Sequence, residues 1–215
     1  TNLGATRRSG AQHSQSLHAL VAHIPGLKVA MPSSAYEAKG LMKTAIRDNN
    51  PVVIFEDKLM YQDKAPVPEE EYLIPFGEAN IKREGSDITL IGTSSMVQVA
   101  EAAAKILEAE GISAEVIDPR TIVPLDEETL LNSIRKTSRA IVIDEGHQNY
   151  GITGEIASRL NEKAFYYLDA PVLRMGAMDV PVPFSPVLED LTVPTPEGVA
   201  ENARRLCAGE MIHAA

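Results

Sequence analysis

Apolar positions in the first sixty residues come in two rhythms. Leu17, Leu20, Val21 and Ile24 recur every three or four positions and run into Pro25-Gly26, which predicts a short helix and its stop. Leu27-Lys28-Val29-Ala30-Met31 reads as a strand halted by Pro32. Ser33 or Ser34 is then placed to cap a helix whose apolar face is Ala38, Leu41, Met42, Ala45 and Ile46. Asp48-Asn49-Asn50-Pro51 ends that helix. Val52-Val53-Ile54-Phe55 follows as an unbroken apolar run, the pattern of a strand covered on both faces in a parallel sheet.

Periodicity then lapses through a charged, proline-rich stretch, Asp63-Lys64-Ala65-Pro66-Val67-Pro68-Glu69-Glu70-Glu71, which predicts an extended linker with a solvated acidic face. Beyond it the alternation resumes. Strands are expected at Ile88-Thr89-Leu90-Ile91-Gly92, at Ala114-Glu115-Val116-Ile117-Asp118 and at Ala140-Ile141-Val142-Ile143-Asp144. Helices from Met96 to Leu107 and from Leu125 to Ile134 separate them. This spacing predicts an α/β fold with right-handed βαβ crossovers, in two parallel-sheet units: residues 1–58, a linker over 59–76, and residues 77–215.

Composition narrows what such a fold does. The 215 residues are 44% hydrophobic and 23% charged, as in an ordinary globular protein, and no apolar run reaches the roughly 20 residues needed to cross a bilayer. A formal charge of -10 argues against a nucleic-acid partner and favours a basic protein partner. The single cysteine, Cys207, excludes an intrachain disulfide and reads as a small core residue of a C-terminal helix. The start, Thr1-Asn2-Leu3-Gly4-Ala5, has no initiator Met, charged n-region or apolar h-region, so no targeting signal is visible in these residues, and one would belong to a segment upstream of them.

His13 lies in Gly10-Ala11-Gln12-His13-Ser14-Gln15-Ser16, where small, hydroxyl and amide side chains can fix one ring nitrogen and leave the other for general acid or base chemistry. A structural loop histidine is the alternative. His18 and His23 repeat the five-residue interval, but five residues turn a helix through about 500°, so successive side chains diverge by about 140° and cannot share a metal. Both are expected at the helix surface or end. Asp48-Asn49-Asn50 offers hard oxygens at a helix C-terminus, which suits either a small cation or a plain helix stop. Asp144-Glu145-Gly146-His147 sits where α/β sheets bind ligands, at a strand C-terminus. Gly151-Ile152-Thr153-Gly154 lacks the G-x-G-x-x-G spacing, so close helix-sheet packing accounts for its glycines.

Taken together, the chain resembles the beta subunit of the thiamine-diphosphate-dependent 2-oxo acid dehydrogenases, the family of pyruvate, branched-chain 2-oxo acid and acetoin dehydrogenase. The resemblance is carried by Gln12-His13-Ser14-Gln15-Ser16, Ile24-Pro25-Gly26-Leu27-Lys28-Val29 and Ala45-Ile46-Arg47-Asp48-Asn49-Asn50-Pro51. Asp118-Pro119-Arg120-Thr121, Leu168-Asp169-Ala170-Pro171 with Arg174, and Asp179-Val180-Pro181-Val182-Pro183 extend it to the far end.

It implies that the first unit is the later part of a thiamine pyrimidine-binding domain and the second a transketolase C-terminal-like domain. An upstream stretch with the cofactor-activating glutamate would precede the first unit. His13 would be catalytic, facing the thiazolium end of the cofactor. Potassium would be bound by Ala45, Ile46, Asp48 and Asn50, mostly through backbone oxygens. An alpha subunit would hold the diphosphate and magnesium in an α2β2 heterotetramer, and the acidic C-terminal domain would dock the binding domain of a dihydrolipoyl acyltransferase. Pyruvate dehydrogenase is the leading activity, acetoin dehydrogenase its rival, and a non-catalytic dimerisation and docking module the third possibility. The compartment would be cytoplasmic in a bacterium and mitochondrial matrix or plastid in a eukaryote.

Overall fold

The computed structural model describes residues 1–5 and 7–210. The elements are, in chain order, β1 (Asn2–Leu3), α1 (His18–Ala22), β2 (Lys28–Ala30), α2 (Ala35–Arg47), β3 (Val52–Ile54), β4 (Glu56–Asp57) and β5 (Asn80–Arg83). They continue with β6 (Ile88–Gly92), α3 (Met96–Glu108), β7 (Ala114–Asp118), β8 (Thr121–Val123), α4 (Glu127–Thr137) and β9 (Ala140–His147). The last four are α5 (Ile152–Ala164), β10 (Leu173–Ala177), α6 (Pro186–Glu189) and α7 (Pro196–Cys207).

Residues 77–210 wrap a five-stranded sheet of order β10-β9-β6-β7-β5, parallel except at β5, which runs antiparallel to β7. Strands β6 and β7 are wholly buried, as expected of a sheet with helices on both faces. One core joins α3 and α7 to the sheet through Leu90, Ala103, Leu107, Ile143 and Val199. The opposite core, with Ile91, Leu130, Ile134, Val142, Ile156 and Leu160, also takes in Leu3, Val29, Met31 and Phe55 from the first unit. The two units therefore share a hydrophobic core.

They also share a sheet. β2 pairs in parallel with β3 and antiparallel with β8, so a strand of the second unit closes the edge of the first. The turn that leads into β8 holds the same seam, because the Arg120 carbonyl accepts Met31 N–H at 2.8 Å and Asp118 accepts the Ser33 hydroxyl. Neither antiparallel pairing follows from the alternation of helices and strands.

Local chemistry sets the helix ends. Ser34 caps α2, accepting Glu37 N–H at 3.4 Å, and Asp126 caps α4, accepting Thr129 N–H at 3.1 Å. The buried face of α2 is Glu37, Gly40 and Leu41, while Met42 and Ile46 of the expected apolar face are exposed, Ile46 by 74%. Likewise Leu17, Leu20 and Ile24 face outward around α1, Leu20 by 66%, and His18 is the residue turned into the core. His18 thus stands at a helix end, as one of the two expected placements, but buried and not at the surface, whereas His23 is exposed at the other end of α1.

The segment after β4 lies along α2. Ile74 packs against Leu41, Lys39 Nζ donates to the carbonyls of Pro68 and Glu70, and Thr44 Oγ1 donates to the Ile74 carbonyl at 2.8 Å. Gly40 permits this contact, since a Cβ there would fall 2.6 Å from Ile74 Cγ1.

Candidate active site

His13 closes a single 3-10 turn, Ala11–His13, that begins at Gly10 with φ +68°, a conformation glycine adopts without strain. Its backbone is held at both sides: His13 N–H donates to the Gly10 carbonyl at 3.3 Å, and Lys58 Nζ donates to the His13 carbonyl. The ring itself is exposed. An imidazole on a pinned backbone, open to approach, is the geometry a proton-transfer residue needs. Next to it, the hydroxyls of Ser14 and Ser16 are shut from solvent with no hydrogen-bond partner among the described residues. Buried polar atoms seldom stay unpaired, so these two hydroxyls suit a bound polar group.

A cavity of about 360 Å³ opens beside this turn, between Gln15–Leu17 and residues 179–182, with His147 on its wall. His147 Nδ1 donates to the Met178 carbonyl at 2.7 Å, which fixes the tautomer in the neutral ring and leaves Nε2 as an acceptor.

Behind the turn lies a buried acid-base network absent from the sequence reading. His18 Nε2 donates to Asp144 Oδ2 at 2.8 Å, and Asp144 also accepts the Thr93 hydroxyl and Gly146 N–H. Burial alone would raise the Asp144 carboxyl, but the His18 ring and these donors hold it below its ordinary range. Its neighbour Glu145 behaves oppositely. Burial pushes the Glu145 carboxyl well up, and Asp57 beside it adds to the effect, although Glu145 accepts Ala5 N–H. A protonated Glu145 next to Asp57 avoids two buried charges of one sign. Asp118, at the end of β7, is likewise raised by burial, to about 6, against the opposing hydrogen bonds from Ser33 and Arg120 N–H. The Asp144-Glu145 pair was visible as a strand end. Its partners Asp57 and His18 come from distant stretches that no spacing rule connects.

The turn after α2 is built differently from a carboxylate metal site. Asp48 Oδ1 accepts Asn50 N–H and Asn50 Nδ2–H, each at 2.8 Å, and Oδ2 pairs with Lys28 Nζ. Lys28 first, then Asn50, hold the Asp48 carboxyl down to about 2. The Ala45 carbonyl accepts Asp48 N–H at 3.2 Å. None of these hydrogen bonds joins the turn to His13, and among the described residues no three His, Cys, Asp or Glu side chains converge as a metal site would need.

At the other strand end, Gly151 abuts the His147 carbonyl and Gly176 abuts the Gln148 backbone, so close packing accounts for these two glycines, whereas a Cβ at Gly154 would make only an ordinary 3.5 Å contact with Arg174. Cys207 is half-buried against the α3 core, and burial raises its thiol, which disfavours a nucleophile. No helix of the described residues is long and apolar enough to cross a membrane.

Two units sharing one core, with exposed chemistry on a turn of the first and a mixed sheet at the seam, define the architecture of the transketolase class. A structure described as a split gene transketolase in an inactive beta4 tetramer superposes with a TM-score of 0.81 at 27% identity, covering 97% of this chain and 66% of the other. The chain belongs to the transketolase C-terminal domain family, whose pattern matches residues 77–199, and the transketolase pyrimidine binding domain matches residues 1–64. Among curated proteins it is 51% identical to the acetoin:2,6-dichlorophenolindophenol oxidoreductase subunit beta of Bacillus subtilis over 93% of its length. It is 46% identical to the pyruvate dehydrogenase E1 component subunit beta of Rickettsia felis over 95%. The chain spans 58% and 63% of those two relatives.

Proposed function

We propose that the chain is part of the beta subunit of a thiamine-diphosphate-dependent dehydrogenase of the pyruvate dehydrogenase type, which decarboxylates a 2-oxo acid and reductively acylates lipoamide. The observation that carries this reading is the collinear likeness to beta subunits over more than nine-tenths of the chain, with His13 presented on a pinned, exposed turn. A second reading, cleavage of acetoin, is favoured by the 51% identity to the Bacillus subtilis protein.

Bound thiamine diphosphate supplies a nucleophilic carbon for the substrate carbonyl. The part of this chain is to present His13, whose ring nitrogen gives a proton to, or takes one from, the substrate oxygen. The unpaired Ser14 and Ser16 hydroxyls fit a polar ligand group at the same turn. The diphosphate and magnesium are assigned to an alpha-type partner chain. A potassium ion at the end of α2 would be held by the backbone carbonyls of Ala45, Ile46, Asp48 and Asn50, because the Asp48 carboxylate is engaged by Lys28 and Asn50. The outward Leu17, Leu20 and Ile24 supply an apolar face for assembly with that partner, and the acidic charge suits the basic binding domain of an acyltransferase.

The test is thiamine-dependent reduction of dichlorophenolindophenol by the full-length protein assembled with its alpha-type chain, with pyruvate and with acetoin in turn. Turnover of pyruvate supports the first reading and of acetoin the second. Turnover of neither overturns both.

A further inference from the structure

One wall of the cavity of about 360 Å³ beside the His13 turn is locked by hydrogen bonds between the loop after β9 and the loop after β10. His147 Nδ1 donates to the Met178 carbonyl at 2.7 Å, and Asn149 Nδ2 donates to Asp179 Oδ2 at 2.9 Å. Gln148 N–H adds a third bond, to the Ala177 carbonyl at 3.0 Å. A carbonyl has no proton to give, so in the neutral ring the proton sits on Nδ1 and Nε2 is a bare acceptor. Half-buried His147 lines the cavity, and Nε2 is the one polar atom its side chain has left to offer. Gln15 lines the same space with a carboxamide that forms no hydrogen bond among the described residues, and the Ser16 hydroxyl is unpaired there. Asp179, exposed, accepts only at Oδ2 among the described residues. No lysine or arginine stands among the described lining residues, while Leu17 and Val182 supply apolar wall.

We propose that this cavity binds a small neutral alcohol, its hydroxyl donating to His147 Nε2 and its short apolar body resting on Leu17 and Val182. A carboxylate or phosphate would bring lone pairs against Nε2 and a negative charge against Asp179, with no cation to offset either. An ammonium would shed its hydration to meet a neutral ring nitrogen, and the exposed Asp179 is screened, so a neutral donor is the better match. Gln15 offers a donor and an acceptor to a second oxygen, which favours a diol or hydroxy ketone over a simple alcohol. A cavity of this size is in the range that holds small ligands. Recognition uses this chain's own groups and not His13, so the site stands whichever activity proposed above holds.

Saturation-transfer NMR titration of the full-length protein tests the assignment, with butane-2,3-diol, isobutyrate and isobutylamine as probes of like size. The diol should bind with a dissociation constant below about 10 mM, and isobutyrate at least about tenfold more weakly. His147→Phe keeps a ring and removes the acceptor, and should weaken the diol about tenfold. Gln15→Leu, at an exposed position, should weaken it about threefold. His23→Phe, which lies at the end of α1 on a different cavity, should leave it unchanged. Circular dichroism verifies folding, and Gln15→Leu decides the matter if His147→Phe does not fold. Diol binding that is equal in wild type and the folded variants overturns the proposal, as does no transfer from the diol at about 100 mM. Isobutylamine bound more tightly than the diol overturns the neutral ligand in favour of a cation at Asp179.

Discussion

His18 Nε2 lies 2.8 Å from Asp144 Oδ2, with both side chains withdrawn from solvent, and this pair joins α1 of the first unit to β9 of the second. Phe55 contacts the same ring edge-on, its centroid 6.0 Å away. Removing one member of such a pair leaves an uncompensated buried group, at a cost of about 3–5 kcal/mol. His18→Ala should therefore lower the free energy of unfolding by about that amount in urea titration. A loss under about 1 kcal/mol would mean that the pair does not hold the seam.

Asp118 makes a prediction about pH. Its folded value is raised to about 6 from an ordinary 3.8, so the folded state binds the proton more tightly than the unfolded chain. The stability it contributes is fully present below about pH 4 and is lost as pH rises through about 6, on the order of 2–3 kcal/mol. Asp118→Asn, which keeps an acceptor for Arg120 N–H, should flatten the fall in unfolding free energy between pH 4 and 6. An unchanged slope would place that pH dependence elsewhere, with Glu145 the next group to examine.

Gly40→Ala places a methyl 2.6 Å from Ile74 Cγ1 and 2.9 Å from Tyr72 Cε2. Overpacking of this kind costs about 1–3 kcal/mol. Proteolysis within residues 63–71 should also accelerate, because the segment is held to α2 by the contact that the methyl displaces. Unaltered cleavage would show that the polar ties of Lys39 and Arg47 hold the segment without that contact.

Exposed His13 should behave as a functional residue. His13→Ala in the assembled enzyme should reduce turnover about a hundredfold, a general acid-base contribution, while unfolding stability moves by less than about 0.5 kcal/mol. Falling stability with unchanged activity per folded molecule would make it a packing residue.

Leu20, 66% exposed, should separate folding from assembly. Leu20→Ser should leave the chain's own stability within about 0.5 kcal/mol, yet weaken association with the alpha-type chain in sedimentation or pull-down of the purified pair. Undiminished association would move the assembly face away from α1.

Three strands of the five-stranded sheet were legible: the start of β9 is a continuous apolar run, and β6 and β7 are mostly apolar, with Thr89 and Glu115 as interruptions, whereas the flanking strands β5 and β10 carry too few apolar residues to stand out. The faces of α1 and α2 misled. Leu20 and Ile46 share the helical rhythm of a core face, and rhythm alone does not say whether the covering surface belongs to the same chain. Gly40 and Glu37, which face inward on α2, carry no apolar signal. His13 stood out through its small and polar neighbours, whereas His18 was hidden by the same residue chemistry, because its partner Asp144 is 126 positions away. The pairing of β8 with β2 depends on how the Asp118-Pro119-Arg120 turn swings back, a feature of tertiary geometry with no periodic signature.

That pairing has a consequence for how the polypeptide can be divided. Because β8 hydrogen-bonds to β2 and both units fill one core, cutting the chain between Asp63 and Glu71 severs covalent continuity without removing any strand from its ladder. The two pieces should stay together as a noncovalent complex and be recoverable from each other in trans, each exposing an unsatisfied strand edge when alone. The sequence boundary between the units is thus a place to nick the molecule, not a place to separate it.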